Sequence, residues 1–302
     1  MNKFAIIGDS TCDLTKELRE NNNIDYCKMK VSWRSKDGVD HEMDADLDWP
    51  EMSHEDFFDL LASGVRVFTT QVTEQEFDRV FTEHLEKGED ILYIGCSGKL
   101  SASVSLAQRL INEKFSKKYP DRKIYAVDPY IACMGQGRIL LDAAEMREAG
   151  KTIDEIKEYI ERERNCYHQA CTLENLDTLA RAGRVKASKA FFANLIGVKP
   201  ILISDAVGNN VAPERQKGRR NALLRLVEMI KADVVKPEEQ ICWISDAESR
   251  PEDVELLVSN IKAAVPFKDV RVVPMGPIIG ASTGKGTISA YFKGTEVTFV
   301  QE

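Results

Sequence analysis

Side chains with hydroxyl groups follow three short apolar runs in the first half of the chain. They lie in residues 8–13 (GDSTCD), 69–71 (TTQ) and 95–101 (GCSGKLS), and the last segment includes Ser97. Ligands of open α/β sheets bind at the carboxyl ends of strands, and the N-terminus of a following helix favours an anion. A single loop of this kind could merely cap its helix. Three in succession predict an anion-binding site at one edge of a sheet.

Residues 276–286 (GPIIGASTGKG) have the glycines and the lysine of a phosphate-binding loop, but they fail its pattern. A Walker A loop requires G-x-x-x-x-G-K-[ST], so that backbone N–H groups surround the phosphates and a hydroxyl holds Mg²⁺. Aligning Gly284 and Lys285 on this pattern places Ile279 at the first glycine and Gly286 at the hydroxyl position. The sequence therefore argues against a nucleotide-hydrolysing enzyme.

A serine nucleophile is disfavoured by the surroundings of Ser97. The nucleophile elbow is G-x-S-x-G, and Lys99 stands where the last glycine belongs. A triad also needs a histidine base, and the 4 histidines are scattered along the chain at positions 41, 54, 84 and 168. Residues 166–171 (CYHQAC) offer three metal-ligand types but no second half-site, so an ordinary strand is the preferred interpretation.

The composition is that of a soluble globular protein. The chain has 302 residues, of which 43% are hydrophobic and 30% are charged. Its net charge of −8 argues against a nucleic-acid surface, and less strongly against transient contact with anionic membranes. No apolar run approaches the roughly 18 residues that span a bilayer, and we expect no signal peptide before the first apolar run. The 7 scattered cysteines lack a C-x-x-C pair, so we expect reduced thiols and a cytoplasmic protein.

Apolar runs alternate with helical patterns through the first 150 residues. They predict strands at residues 4–7, 65–68, 90–94 and 123–127, and helices at residues 73–87, 101–119 and 134–149. This alternation indicates a mostly parallel, helix-covered sheet of the Rossmann-like type. Residues 31–49 interrupt it with a hairpin, marked by Asp37-Gly38. Gly135 and Gly137 lack the third glycine of a dinucleotide loop and indicate either a helix packed close to a neighbour or the close approach of a ligand.

The second half is organised differently. Strands are predicted at residues 166–172, 199–203, 240–245, 270–274, 287–292 and 295–300, and helices at residues 154–164, 188–195, 217–230 and 252–264. Strands that cluster without intervening helices favour an α+β domain with a mixed sheet. We place the boundary near residue 160, which gives an N-terminal α/β domain of residues 1–160 and a C-terminal α+β domain of residues 161–302.

Seven motifs, in order along nearly the whole chain, together resemble the DegV family of bacterial fatty-acid-binding proteins, also called FakB. The segment DSTCDL at residues 9–14 is similar to the family's D-S-x-x-D-L, TTQ at 69–71 to T-S-Q-P, SGKLS at 97–101 to S-x-x-L-S-G-T, LARAGRV at 179–185 to L-x-x-G-G-R-I, GVKPIL at 197–202 to I-K-P-I-L, KGRR at 217–220 to K-x-R-G, and residues 276–286 to G-P-x-I-G-x-H-x-G-P-G.

The resemblance implies a two-domain protein that holds one long-chain fatty acid, of the palmitate, stearate or oleate class, between its domains. It implies a ligand-binding carrier rather than an enzyme, with no catalytic residue, no metal and no cofactor besides the fatty acid. It also implies a fatty-acid kinase partner, which phosphorylates the bound carboxylate for phospholipid synthesis, and no nucleic-acid partner.

The resemblance also implies which residues contact the ligand. Thr69, Thr70 and Ser101 would hold the carboxylate, and the family's arginine maps to Arg184. Further candidate contacts of the head group and the tail are Gly280, Ser282, Thr283, Ile278, Ile279, Phe191 and Phe192. The apolar members of this set are equally suited to an ordinary core.

The chain departs from the family pattern at four places, of which Ser282 is the most consequential because the family has histidine there. The substitution removes a group that could titrate or pair with an acid. We expect fatty-acid binding to survive it, because the tail supplies most of the affinity. Two other functions stay open: a binding protein for a different acidic metabolite, and a hydrolase or phosphotransferase that uses the Ser and Asp residues of the first-half loops.

Overall fold

The first half of the chain contains a parallel four-stranded sheet. The computed structural model describes residues 3–174, 178, 181–185 and 197–301. The strands are β1 (Phe4–Asp9), β2 (Ile24–Cys27), β6 (Asp90–Ile94) and β7 (Ile124–Val127), in the order β2-β1-β6-β7. β1 and β6 are almost wholly buried, as expected for parallel strands that are covered on both faces.

Helices cover this sheet. They are α1 (Lys16–Asn21), α3 (Glu74–Glu86), α4 (Ser103–Leu110), α5 (Ser116–Lys118), α6 (Cys133–Glu148) and α7 (Ile153–Glu163). The predicted helix over residues 101–119 is interrupted by a π-helical turn, Ile111–Phe115. Thr73 caps α3 by accepting a hydrogen bond from the Glu76 N–H, which satisfies one of the free donors of the first turn.

A small antiparallel sheet carries the hairpin that the Asp-Gly pair predicts. Its strands are β3 (Lys30–Arg34), β4 (Asp40–Asp44) and β5 (Val67–Thr69), with β3 in the middle, and α2 (His54–Ala62) lies between β4 and β5 in the chain. The prediction that residues 65–68 form a further strand of the parallel sheet is wrong, because β5 pairs with β3 in the antiparallel sense. Residues 69–71 therefore follow a strand of the antiparallel sheet, whereas the other two hydroxyl loops follow strands of the parallel sheet.

The second half contains a six-stranded mixed sheet, as predicted. Its strands are β8 (Tyr167–Thr172), β9 (Val198–Ser204), β10 (Asn210–Lys217), β11 (Ile241–Asp246), β12 (Asp269–Pro274) and β13 (Ile288–Lys293), in the order β10-β9-β8-β13-β11-β12. Only the β11–β12 pairing is parallel among the described strands of this sheet. The helices that accompany it include α8 (Arg219–Asp233), α9 (Pro251–Ala264) and α10 (Pro277–Thr283).

Several elements differ from the prediction. Residues 295–300 do not form a strand; instead the Thr295 and Val297 N–H groups donate to the carbonyls of Asp233 and Asn165. The sequence patterns predict none of five observed elements, which are α1, β2, α2, β10 and α10. The predicted helix over residues 188–195 lies outside the described residues. The boundary near residue 160 stays a prediction and falls within α7.

The main hydrophobic core joins the two halves. It includes Trp243, Met275 and Tyr291 of the second half together with side chains of α6 and β1. α6 contacts β1 on one side and β8, β11 and β13 on the other. No helix in the described part of the chain has both the length and the apolar composition needed to cross a membrane.

Gly137 allows α6 to lie directly against the loop that follows β1. A Cβ atom at this position would lie 2.4 Å from the Cys12 carbonyl oxygen, and one at Gly135 would lie 2.4 Å from Ile131 Cδ1. The prediction that these glycines mark close packing is therefore confirmed.

We expect Gly137→Ala to lower the free energy of unfolding by roughly 1–2 kcal/mol, the upper part of the overpacking cost less the gain in helix propensity. Alanine gains up to about 1 kcal/mol of helix propensity, but overpacking costs about 1–3 kcal/mol, and a backbone carbonyl cannot rotate away as a side chain can. Urea denaturation followed by tryptophan fluorescence measures the change. The control is Glu145→Ala at an exposed site of the same helix, where a change within about 0.5 kcal/mol is expected. Equal or greater stability of Gly137→Ala would contradict the close approach.

Candidate functional site

A cavity of about 450 Å³ lies where the hydroxyl loops of the first half meet helix α10 of the second half. Its lining includes eight of the residues that the sequence singles out: Thr69, Thr70, Ser101, Arg184, Ile278, Ile279, Ser282 and Thr283. Although β5 belongs to the small antiparallel sheet, its end reaches the same cavity as the loops after β1 and β6. The expectation of one shared edge is wrong for β5, but the three loops do converge.

The hydroxyl group of Ser101 can donate to a ligand in the arrangement in which Ser103 donates to Ser101, which is one of the two arrangements that the geometry allows. The Val72 N–H donates to Ser103 Oγ (3.1 Å), the Oγ atoms of Ser101 and Ser103 are 2.9 Å apart, and the Ser103 N–H donates to Ser101 Oγ (3.3 Å). Ser103 can thus donate its own hydrogen to Ser101. Ser101 then accepts two hydrogen bonds and keeps its hydrogen for an acceptor in the cavity.

Thr70 has the same arrangement on the opposite loop. The Lys30 N–H donates to Thr70 Oγ1 at 3.1 Å, because β3 runs alongside the end of β5. The Thr70 hydrogen meets no acceptor among the described residues, and Thr70 lines the cavity. Two hydroxyl donors without an acceptor are suited to a carboxylate, whose two oxygens only accept.

Helix α10 forms the other wall and offers different groups. Ser282 Oγ donates to the Ile278 carbonyl (3.3 Å) and Thr283 Oγ1 to the Ile279 carbonyl (2.9 Å), so both hydroxyl hydrogens are used within the helix. Ile278 is buried and Ile279 is partly buried, and both line the cavity. This wall therefore presents apolar surface and oxygen lone pairs.

Two buried carboxylates hold the walls in place. Asp9 Oδ2 accepts hydrogen bonds from Tyr93 Oη (2.8 Å) and the Cys96 N–H (3.0 Å), while its Oδ1 accepts from the Thr11 N–H (3.0 Å). This joins the loop after β1 to the loop after β6. Thr11 and Cys96 themselves line the cavity, and burial raises the pKa of the Cys96 thiol well above its usual value, which leaves it a poor nucleophile.

Asp13 connects the same β1 loop to the second half of the chain. Its Oδ2 accepts from Ser245 Oγ and Cys133 Sγ (2.6 Å each), and its Oδ1 accepts from the Gly276 N–H at 2.9 Å. Gly276 is the N-cap of α10. Burial raises the pKa of the Asp13 carboxyl to about 6, although hydrogen bonds from Cys133, Ser245 and Gly276 oppose the rise.

Two of the predicted site residues, Ser97 and Gly280, do not line the cavity, and Arg184 lines it from an exposed position. Ser97 is buried and donates to the Gly208 carbonyl at 2.8 Å, and it does not line the cavity. Gly280 faces α2, where an added Cβ would lie 2.5 Å from Phe58 Cζ. Arg184 does line the cavity, but it is exposed and its Nη1 donates to the Ala182 carbonyl. Phe191 and Phe192 lie outside the described residues, so their tail-binding role stays a prediction.

The site list from the sequence omits several lining residues. They are Thr11, Met29, Gln71, Cys96, Gly98, Lys99, Leu100, Ala102 and Asn210. Most of them stand inside the three hydroxyl loops and could have been included on that ground. Asn210 could not, because it begins β10, for which the sequence gives no clear strand pattern.

The lysine of the glycine-rich segment has a partner of its own. Lys285 Nζ forms an ion pair with Asp59 of α2, and residues 277–283 form helix α10 rather than a loop that wraps a phosphate. Each of the four histidines also contacts another part of the fold: Trp33, Glu248, Asp25 and Thr295 are among the partners of His41, His54, His84 and His168. Among the described residues no histidine lines the cavity, and no cluster of metal-ligating side chains is found.

Comparison with known proteins gives matches over nearly the whole chain. A sequence model of the DegV family matches residues 3–294. A DegV domain-containing protein of Clostridium perfringens is 32% identical over 294 residues, which cover 97% of this chain and 98% of that protein. A similar protein of Streptococcus pyogenes is 28% identical and covers 96% and 98%.

Solved structures share the fold. A DegV family protein from Thermus thermophilus, described for its fatty-acid binding, matches with a TM-score of 0.82 and 25% identity over 97% of this chain and 100% of that one. A DegV family protein from Ruminococcus gnavus, described with vaccenic acid, matches with a TM-score of 0.81 and 22% identity over 95% and 99%. These similarities confirm the predicted α/β fold with its parallel and mixed sheets.

Asp13 makes the stability of the protein depend on pH in a direction that can be tested. Its carboxyl has a pKa of 3.8 in ordinary surroundings and about 6 in the fold, so folding favours the protonated form. The stabilisation that the fold gains from the protonated Asp13 carboxyl is present below pH 4 and is lost as the pH rises through 6. With 1.36 kcal/mol per pKa unit, the loss is about 3 kcal/mol.

Asp13→Asn should abolish this dependence. Urea denaturation between pH 4 and pH 7 should give a flatter stability profile for Asp13→Asn than for the wild-type chain, whereas Asp121→Asn, at an exposed loop position, should keep the wild-type slope. Parallel profiles for the wild type and Asp13→Asn would show that this carboxyl does not titrate in the range.

Proposed function

Because the chain belongs to the DegV family, we propose that it binds one long-chain fatty acid, with the carboxylate in the cavity between the hydroxyl loops and α10. The observation that carries this proposal is the pair of hydroxyl donors, Thr70 and Ser101, whose oxygens are already occupied by backbone or side-chain donors. Their hydrogens are available for the two oxygens of a carboxylate. The cavity volume of about 450 Å³ lies within the roughly 300–1,000 Å³ of small-ligand sites.

The tail would supply most of the affinity. A buried methylene contributes about 0.8 kcal/mol, so a sixteen-carbon chain contributes roughly 12 kcal/mol before the entropy of immobilising it is subtracted. Met29, Leu100, Ile278 and Ile279 give the cavity an apolar side on which the chain can begin. The head-group donors then fix orientation and compensate for the lost hydration of the carboxylate.

Acyl-phosphate formation by a partner kinase is the finer part of the proposal. The γ-phosphoryl group of ATP would move to a carboxylate oxygen, with loss of ADP, and the carrier would only present the acid. The end of the cavity that holds the hydroxyl donors is open to solvent, and this supports the proposal. The exposed lining residues there are Thr70, Gln71, Gly98 and Lys99. A carboxylate held there lies within reach of a second protein. We place the protein in the cytoplasm, where ATP is available.

A hydrolase that uses the same loops is less well supported. The cavity has no histidine among its described lining residues, so Ser101 has no general base of the triad type. The Asp9 and Asp13 carboxylates are buried and committed to structural hydrogen bonds.

The direct test is to identify the bound lipid and remove its proposed donors. We expect native mass spectrometry of the purified protein to reveal one fatty acid per chain. Thr70→Val and Ser101→Ala should each weaken fatty-acid binding about tenfold or more, since a hydrogen bond to a charged group contributes roughly 1.5–3 kcal/mol. Ser105→Ala, at an exposed position of α4, is the matched control and should bind like the wild type. A chain that carries no fatty acid and takes up none would refute the proposal.

A separate test addresses the partner. With palmitate, Mg-ATP, hydroxylamine and a purified fatty-acid kinase, acyl hydroxamate should form only when the kinase and this protein are both present. The carrier role predicts no hydroxamate with either protein alone. Tight palmitate binding without any hydroxamate would leave the binding function intact and exclude presentation to that kinase.

A further inference from the structure

The histidine at the start of α2 joins that helix to the N-terminal end of α10. His54 Nδ1 lies 2.7 Å from Glu248 Oε1, and His54 Nε2 lies 3.2 Å from the Met275 carbonyl oxygen. Met275 directly precedes Gly276, the N-cap of α10. One side chain of the first half of the chain therefore bridges two segments of the second half.

Both partners of the His54 ring can only accept a hydrogen bond. A carbonyl oxygen has no hydrogen to donate, and neither has an ionised carboxylate. A neutral imidazole carries a hydrogen on one nitrogen only, so it can satisfy Glu248 or the Met275 carbonyl but not both. The imidazolium satisfies both, and the geometry of the bridge is therefore that of the protonated ring.

The acidic groups that face His54 from neighbouring elements also favour a positive charge. Asp246 and Glu248 belong to the end of β11 and the turn after it, Asp13 belongs to the loop after β1, and α10 itself has no charged residue. Burial raises the pKa of the Asp246 carboxyl and that of the Asp13 carboxyl, the latter to about 6, whereas a positive charge on His54 lowers both.

Two features oppose the charge on His54. It is the first residue of α2, and the N-terminal end of a helix disfavours a cation. Lys285, which follows α10, is paired with Asp59 and also interacts with Glu248 and with Glu55 of α2. Because histidine side chains change their charge between about pH 5 and pH 8, we expect the bridge to weaken over this range.

Aromatic rings shield the bridge from water. The Trp49 and Phe58 rings lie 5.1 Å and 4.8 Å from the His54 ring, centroid to centroid, and the His54 side chain is only 18% exposed. Glu248 is held with φ at +53°, a conformation that residues other than glycine seldom adopt. Water therefore has little access to replace the contact when the ring loses its proton.

We propose that the protonated His54 side chain is a latch that fixes α10 against α2, and that loss of its proton loosens this wall of the cavity. α10 has seven residues, too few to be stable alone, and it contacts α2, β3 and β5. β5 ends beside Thr70, the proposed carboxylate donor on the opposite wall. A bound fatty acid would thus be held in acid solution and would exchange faster as the pH rises. The effect on exchange rests on the proposed function, whereas the latch does not.

Hydrogen exchange of the α10 amides tests the latch without any ligand. After correction for the pH dependence of chemical exchange, protection of residues 278–284 should fall about tenfold between pH 5.5 and pH 8 in the wild type, the loss expected for one hydrogen bond to a charged group. In His54→Gln and Glu248→Gln, protection should already be low at pH 5.5. His41→Gln, which removes an exposed histidine of the hairpin, is the matched control and should keep the wild-type profile. Asp13 titrates in the same range, so the difference between the wild type and His54→Gln isolates the latch.

NMR of the histidine ring nitrogens tests the protonation state itself. With ¹⁵N-labelled histidine, the His54 ring, assigned by its absence in His54→Gln, should carry two protonated nitrogens at pH 5.5 and one at pH 8. A ring with only one protonated nitrogen at pH 5.5 would overturn the latch, and so would equal protection profiles for the wild type and His54→Gln.

Release of cis-parinaric acid, a fluorescent fatty acid, tests the consequence for the cavity. Its dissociation rate should rise about tenfold from pH 5.5 to pH 8 in the wild type, whereas His54→Gln should already release it rapidly at pH 5.5. The titration of the fatty acid is common to both proteins and cancels in the comparison. Equal rates for the two proteins at pH 5.5 would overturn control of the cavity by the latch. If the wild type binds no fatty acid, the proposed function fails, and hydrogen exchange still decides whether the latch exists.

Discussion

The buried Asp13 carboxylate is the interaction on which the architecture of the site depends. It lies at the end of the first loop and accepts hydrogen bonds from α6, from β11 and from the N-cap of α10. Removing a carboxylate from water is costly unless it is hydrogen-bonded, and its raised pKa records the part of that cost that the three donors do not offset. This one side chain fixes the positions of three elements, none of which is joined to the first loop by strand pairing.

Helix α10 shows why such a constraint is needed. It has only seven residues, too few to be stable alone, and two of its polar side chains merely return hydrogen bonds to its own carbonyls. Its position depends on tertiary contacts: Asp13 at Gly276, His54 at the Met275 carbonyl, and the Phe58 ring against Gly280. One wall of the cavity is thus set by α2 and the β1 loop, both of which belong to the other half of the chain.

The sequence predicts the parts of this arrangement that local pattern controls. The strands at residues 4–7 and 90–94 are long buried runs that end in polar loops, and both loops lie where the rule for α/β sheets places them. The strand at residues 65–68 obeys the same local pattern, yet it pairs with β3 because the hairpin presents an edge to it. Helix α10 was missed for the related reason that its glycine, proline and short length resemble a loop, whereas tertiary contacts with Asp13, His54 and Phe58 hold it in place. Asn210 and β10 show the same limit, since strand pairing with β9 decides their position.

The glycine-rich segment and the cavity lining illustrate how charge is divided across the site. Lys285 has the spacing of a phosphate-binding lysine, but Asp59 already neutralises it, while Gly284 and Gly286 adopt positive φ to return the chain from α10 to β13. Among the described residues that line the cavity, the cations without a carboxylate partner are instead Arg184 and Lys99. What decides whether a cation can bind an anion here is the absence of a nearby carboxylate, and sequence spacing does not report that. The hydroxyl pair at Thr70 and Ser101 is subject to the same argument, because a hydroxyl group can donate to a ligand only where no protein acceptor takes its hydrogen.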